Sequence, residues 1–267
     1  MSWARFAEHR DRVTSKSGGW TIGGETTLHG YSIHQELTHQ ASWMQALLLS
    51  ITGRLYDEKQ ARLIEAIFVA TGYPDPRLWC NRIVALAGSA QCPAGSALSA
   101  GVASAEAKVY GGQAEYYAAR AFAECHRIFQ QQGDDALFTH MKAVLKKERV
   151  MFGFGRPLTR VEERIGPIEK MAKEMGIKDG PHLTTVKHME GMLKRYRLIL
   201  NFAGYATARL LDLGLTAHQV HQFLTVCFYI GMPPCYSEAF ENEPGTFLPI
   251  ACEDILYAGL AERDVPV

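Results

Sequence analysis

Apolar residues recur at helical spacing along most of the chain. Ala41, Met44, Leu47, Leu48 and Ile51 fall on one helical face, and Gly53 comes next as a stop. Asp57, with Gln60 three positions on, reads as an N-terminal cap that opens an amphipathic run through Leu63, Ile64, Ile67 and Phe68. Thr216 and Gln219 repeat that signal. Pro167 after Gly166, and Pro181 after Gly180, stand where a first-turn proline is tolerated, while Gly176 and Gly214 close the helices before them. Strand-like character is confined to 20–33, where Thr21, Ile22, Thr26, Thr27 and Tyr31 between glycines predict a short hairpin or extended segment. The pattern predicts an all-α protein.

Residues 96–107 read SALSAGVASAEA, a helix of almost uniformly small side chains. Small residues let helix axes approach closely, so this helix is expected to be deeply buried or to lie against a symmetry mate. Lys146, Lys147 and Arg149 end a helix expected to begin near Asp134, where positive charge complements the helix dipole. That reads as a solvated helix end rather than a basic patch.

A chain of 267 residues can bury a sizeable core, as one large domain or two unequal ones. Lys plus Arg total 28 and Asp plus Glu total 28, so no net field favours nucleic acid or an acidic membrane surface. An anionic ligand must therefore be met by local charge. No apolar run approaches the roughly 18 to 20 residues that span a bilayer. The first residues lack a signal-peptide pattern, and together these features predict a soluble, cytoplasmic protein. The cysteines Cys80, Cys92, Cys125, Cys227, Cys235 and Cys252 form no CxxC pair, which argues against zinc and disulfides and for reduced packing residues. Nothing in the pattern calls for a metal or a bound cofactor.

Two glycine-bearing turns carry the candidate chemistry. The first is VYGGQAE at 109–115, where Gly111 and Gly112 let backbone amides approach a ligand and a helix restarting near Gln113 aims its N-terminus at the same place. The second is FGFGRPLTR at 152–160, with Gly153 and Gly155 followed by Arg156, Arg160 and Arg164. Glycines with clustered arginines suit a carboxylate or phosphate.

These segments stand in the order and spacing of citrate synthases, and the chain resembles that family from about 20 to 259. HGYSIHQELTHQASWMQALLLSITGRL at 29–55 is similar to the family's RGYxIxxLxxxxSFxExxxLLxxGxLP. VYGGQAE resembles the stretch ending in HGGANE, and FGFGRPLTR looks like GFGHxVY. Asn201-Phe202-Ala203-Gly204-Tyr205 and the helix through Leu215 resemble the family's NVDFYSG segment and its adjoining helix. The short N-terminal part is more similar to citryl-CoA lyases than to full-length citrate synthases.

The resemblance implies a citrate synthase-like helical homodimer, with a large domain formed by 1–111 and 202–267 and a smaller mobile domain, 112–201, that closes over substrates. Residues 96–107 would help form the dimer interface. It implies an acyl-CoA carbon–carbon lyase or synthase of citryl-CoA lyase or citrate synthase type. Its partners would be an acyl-CoA and an oxo acid, and coenzyme A would enter as part of the substrate rather than as a cofactor.

In the family, the His of HGG polarises the thioester carbonyl, the His of GFGH bonds the partner's carbonyl, and the Asp of NVD moves the proton at the α-carbon. Here those positions hold Tyr110, Arg156 and Ala203. Tyr110 can donate a hydrogen bond to a carbonyl, or be a packed aromatic. Arg156 can hold a carbonyl or carboxylate, or form a structural ion pair, but cannot take up a proton at neutral pH. Ala203 has no titratable group, and losing a positioned acid or base costs on the order of 100-fold to 10,000-fold in rate.

PDPRLWCNR supplies Asp75 as a replacement base, with Arg77, Asn81 and Arg82 as substrate contacts on a loop stiffened by Pro74 and Pro76. Asp75 also reads as a helix cap paired with Arg77. The implied coenzyme A groove lies near Arg160, Arg164, Lys170 and Lys173. His29, His34 and His39 in the N-terminal segment, and Glu238 and Glu241 near the last long helix, are further titratable groups with structural readings. The segment MPPCY at 232–236 is expected to be a turn, and it lacks the family's Arg. Two other functions fit these substitutions: a non-catalytic homologue that binds an acyl-CoA or carboxylate, and a thioester hydrolase.

Overall fold

In the computed structural model, residues 3–8, 10, 13–108, 111–156, 161–246 and 251–265 are described, and the helices after Asp57 and Thr216 start where the capping signals stand. After α1 (Trp3–Glu8) come three short antiparallel strands, β1 (Gly18–Trp20), β2 (Thr26–Leu28) and β3 (Tyr31–Ser32), in sheet order β1-β2-β3. β2 and β3 fall in the one segment whose pattern is extended, 20–33, and β1 ends at its first residue. A π-turn, Ile33–Leu37, and α2 (Thr38–Gln40) lead to α3 (Trp43–Thr52). Ser42 and Gln45 close a capping box on α3, and Gly53 ends it in the left-handed region at φ 72°. Asp57 accepts from Gln60 N at 2.8 Å to start α4 (Glu58–Thr71). The remaining helices are α5 (Trp79–Ser89), α6 (Ala94–Ala105), α7 (Gly112–Glu148), α8 (Ile165–Glu174), α9 (Pro181–Leu193), α10 (Phe202–Asp212), α11 (Ala217–Leu224) and α12 (Met232–Glu241). Gly133, at φ 79° and ψ −169°, breaks α7, so its second arm begins at Asp134 as expected.

The chain packs as two units. The first comprises Met1–Tyr73 and Ala105–Ile230, and the second Pro74–Ser104 and Gly231–Val267. The boundaries at 112 and 201 drawn from the resemblance both fall inside the first unit.

In the first unit α10 is the innermost helix: apart from Ala203, every residue from Phe202 to Leu211 is buried. It packs on α7 and α9, and Phe122, Leu137, Val186, Met189, Tyr205 and Phe223 join it in one core. The turn at 152–155 is pressed onto the start of α10. Gly153 sits at φ 84°, Asn201 N donates to Gly153 O at 3.0 Å, and Gly155 N donates to Ile199 O at 2.7 Å. A Cβ on Gly204 would overlap the Gly153 carbonyl, which is backbone and cannot swing aside. Gly204→Ala is therefore expected to cost about 1–3 kcal/mol in urea unfolding. Gly191→Ala, where a Cβ meets nothing within 4 Å, should instead gain about 0.5–1 kcal/mol from helix propensity.

In the second unit α5 and α12 pack closely around Ala85, Cys235 and Ala239, and a Cβ on Gly88 would stand 2.7 Å from Tyr236 O. Gly101 of α6 lies against Val84 and Met232. Burial of the small-residue helix is one-sided, because Ser96, Ser99, Ala100 and Ala103 are exposed. Residues 232–236, expected as a turn, form the first turn of α12, where Pro233 costs no hydrogen bond because first-turn N–H groups have no helical acceptor.

Cys80, Cys125, Cys227 and Cys235 are buried free thiols, and burial pushes those of Cys125 and Cys227 up to about 12. Among the described residues no helix is long and apolar enough to cross a membrane.

Candidate active site

The tight turn at 153–155 hands the chain to Arg156, and 161–164 brings two carboxylates back onto it. Arg156 Nη1 donates to Val161 O at 2.6 Å and to the Glu163 carboxylate, and its Nε lies 3.6 Å from Glu162 Oε2. Glu162 is only 4% exposed and takes Arg164 as a fork, with Nε at 2.7 Å and Nη2 at 2.9 Å. Its second oxygen also accepts from Phe202 N at 3.0 Å, at the N-terminus of α10. Arg164 lies 4.7 Å over the Phe202 ring. One buried carboxylate thus links two guanidinium groups to the innermost helix. Burial alone would lower the Arg156 pKa, but hydrogen bonding and charge from Glu163, with the charge of Glu162, outweigh it and leave it raised. The Arg156 hydrogen bond holds Glu163 below the usual carboxylate range. Glu163 is 65% exposed, so an incoming ligand carboxylate can take its place on Arg156 while Glu162 stays.

At the other turn, a Cβ on Gly111 would overlap Ala105 O, and one on Gly112 would overlap Glu106 Oε1. Backbone atoms crowd Gly111, so only glycine fits there, whereas at Gly112 it is the Glu106 side chain that fills the space. Glu106 Oε2 bonds His221 Nε2 at 2.7 Å, Thr225 Oγ1 donates to Glu106 Oε1 at 3.3 Å, and the Tyr116 ring meets His221 edge-on. One turn into α7, Glu115 is 5% exposed and its Oε2 has no hydrogen-bond partner among the described residues. Burial, and secondarily the charge of Glu106, pushes Glu115 up to about 8. Burial raises the Cys227 thiol most, and the charges of Glu115 and Arg164 act on it in opposite directions.

Of the residues predicted from sequence, Arg156, Arg164, Gly153 and Gly155 come together in this way, and Gly111 and Gly112 form the α7 start. Tyr110 and Arg160 lie outside the described residues. Lys170, paired with Glu174, and Lys173 are exposed on α8, the helix that Arg164 precedes. Asp75, Arg77, Asn81 and Arg82 belong to the second unit. Arg77 clamps Asp75 through Nε at 3.0 Å and Nη2 at 2.6 Å and holds its carboxyl below the ordinary range, which weakens it as a base. Asn81 is buried, and its Nδ2 donates to Asp75 O at 3.0 Å, so it fixes the loop. Arg82, Glu238 and Glu241 are exposed, as are His34 and His39, while His29 Nε2 lies 3.4 Å from Ser50 O.

Sequence reasoning passed over Glu162, Glu163, Glu106, Glu115 and His221. The alternation Arg160-Val161-Glu162-Glu163-Arg164 was a signal for the first two, since opposite charges so close along a chain tend to pair. Glu106 and His221 stand 115 positions apart and left no local signal.

No protein-family model matches the chain, and no curated protein does. Among solved structures, a citryl-CoA lyase from Hydrogenobacter thermophilus superposes on 96% of this chain and 98% of its own with a TM-score of 0.81 and 22% identity. An ATP citrate lyase from Methanothrix soehngenii, in complex with citrate and coenzyme A, covers 100% of this chain with 46% of its own, at a TM-score of 0.75 and 16% identity, so the chain spans about half of that protein. Citrate synthase from Thermotoga maritima MSB8 matches 84% of this chain and 59% of its own, with a TM-score of 0.63 and 15% identity. The chain has the mainly helical, all-α-class fold of citryl-CoA lyase and the citrate synthases, with one small sheet.

Proposed function

We propose that the protein is an acyl-CoA carbon–carbon lyase or synthase of the citryl-CoA lyase kind, acting on a 3-hydroxy-3-carboxyacyl thioester to give an acyl-CoA and an oxo acid. The observation that carries this reading is the Arg156–Glu162–Arg164 bridge beside the glycine turn at 153–155, in a chain with this fold. Arg156 exchanges Glu163 for a substrate carboxylate. Tyr110 donates a hydrogen bond to the thioester oxygen, and Arg160, Arg164, Lys170 and Lys173 meet the phosphates of coenzyme A. The exposed small-residue face of α6 suits close packing against a second copy, 112–201 is the segment that closes over substrates, and the cytoplasm is the expected compartment.

Ala203 favours a second reading, a homologue that binds an acyl-CoA without turning it over. Incubation with citryl-CoA separates the two. Appearance of oxaloacetate, followed by coupled NADH oxidation, supports the lyase. A rise in melting temperature without product supports the binding protein, and free thiol without oxaloacetate would mark a thioester hydrolase. Arg156→Ala is expected to weaken citryl-CoA binding by about 1.5–3 kcal/mol, roughly a 10-fold to 150-fold rise in KM or Kd. No change would remove Arg156 from the site.

A further inference from the structure

Cleaving or forming a carbon–carbon bond next to a thioester needs a group that takes a proton and gives it back. Ala203 has none, Arg156 keeps its proton, and Asp75 is clamped by Arg77. Around the paired glycines the structure gathers other titratable side chains. Glu106 lies against Gly112 at the positive end of α7, where the N-cap Gly111 has no side chain to fill the first N–H groups. His221 Nε2 is committed to Glu106, which leaves Nδ1 without a hydrogen-bond partner among the described residues. The pair is partly open, with side chains 26% and 30% exposed. Glu115 is buried beside it, with Oε2 unpartnered and within the field of Glu106. Buried polar atoms nearly always find a partner, so an orphaned carboxyl oxygen here marks a place for a ligand's polar group. The Cys227 thiol, held up to about 12, is too weak an acid to compete for this role.

We propose that Glu106 and His221 are the proton-transfer pair of this site and that Glu115 joins Tyr110 in donating to the thioester oxygen. The proposal rests on the lyase reading above. In the cleavage direction His221 Nδ1 takes the proton of the tertiary hydroxyl. The O–H electron pair becomes the new C=O of the oxo acid as the carbon–carbon bond breaks. That bond's electrons move onto the thioester's α-carbon as an enolate, whose oxygen accepts from Glu115. The imidazolium, stabilised by Glu106, then returns its proton to the α-carbon and releases the acyl-CoA, so no co-reactant is required.

The test uses the full chain and citryl-CoA. Glu106→Gln and His221→Ala are expected to lower kcat by roughly 100-fold to 10,000-fold while KM and the citryl-CoA thermal shift stay within about threefold. Added imidazole should restore part of the His221→Ala loss in a concentration-dependent way, which a packing defect would not allow. Should the wild type cleave citryl-CoA and both variants match its kcat within threefold, the pair is overturned and the lyase reading stands. A wild type that binds citryl-CoA but releases neither product overturns the lyase reading, and the pair with it. If His221→Ala fails to fold, Glu106→Gln, which keeps the side-chain shape, decides by the same kcat criterion.

Discussion

Replacing Glu162 with alanine is expected to lower the unfolding free energy by roughly 3–5 kcal/mol, because it strips the partner from a buried ion pair. The carboxylate is 4% exposed and serves Arg164 and Phe202 N directly, with Arg156 within 3.6 Å. Without it, the Arg164 guanidinium, only 23% exposed, loses its carboxylate, Arg156 keeps Glu163 alone, and α10 begins with an orphaned N–H. Urea unfolding is the measurement, since guanidinium chloride would screen the charges in question. The double variant Glu162→Ala/Arg164→Ala should be more stable than Glu162→Ala alone, because it removes the stranded Arg164 charge. A loss below about 1 kcal/mol for Glu162→Ala would show that the bridge does not hold the site together.

The second large effect is one of pH. The Glu115 carboxyl is raised from its ordinary value of 4.5 to about 8 by burial first and the charge of Glu106 second. A carboxylate whose pKa rises on folding binds its proton more tightly in the native state. Its favourable contribution is complete below pH 4.5, declines as pH rises through the interval from 4.5 to about 8, and is gone above it. At roughly 1.4 kcal/mol per pH unit, the full swing is on the order of 4–5 kcal/mol. Glu115→Gln removes the ionisation with little change of shape. The variant and the wild type should have similar melting temperatures near pH 5, and the variant should be the more stable near pH 9. Parallel stability curves across that range would mean that Glu115 ionises freely in the folded protein.

How much could be read from the chain alone depended on how far apart the interacting residues stand. Capping pairs act over three positions, so Asp57 with Gln60 and Thr216 with Gln219 are legible without any knowledge of the fold. Gly53, Gly176 and Gly214 are legible as helix stops for the same reason, and all three take positive φ. The glycine turns announce themselves through composition, but composition does not tell what a glycine is making room for. Gly112 clears space for Glu106, and Gly204 for the carbonyl of Gly153. The arginines are legible as a cluster of charge, whereas their neutralisation by Glu162 depends on a fold-back that brings 161–164 onto Arg156. Asp75 and Arg77, two positions apart, read both as a catalytic base and as a local pair; the geometry is that of the pair. His221 can be matched to Glu106 only once α11 is packed on α7.

The buried cysteines bear on how this protein can be assayed. With Cys80, Cys125, Cys227 and Cys235 shielded, and two of them holding their protons to about pH 12, a disulfide dye added to the native protein near neutrality finds almost no thiolate on those four. Colour that keeps growing with added acyl-CoA therefore reports liberated coenzyme A rather than the polypeptide, and a single cuvette can tell thioester hydrolysis from carbon–carbon cleavage.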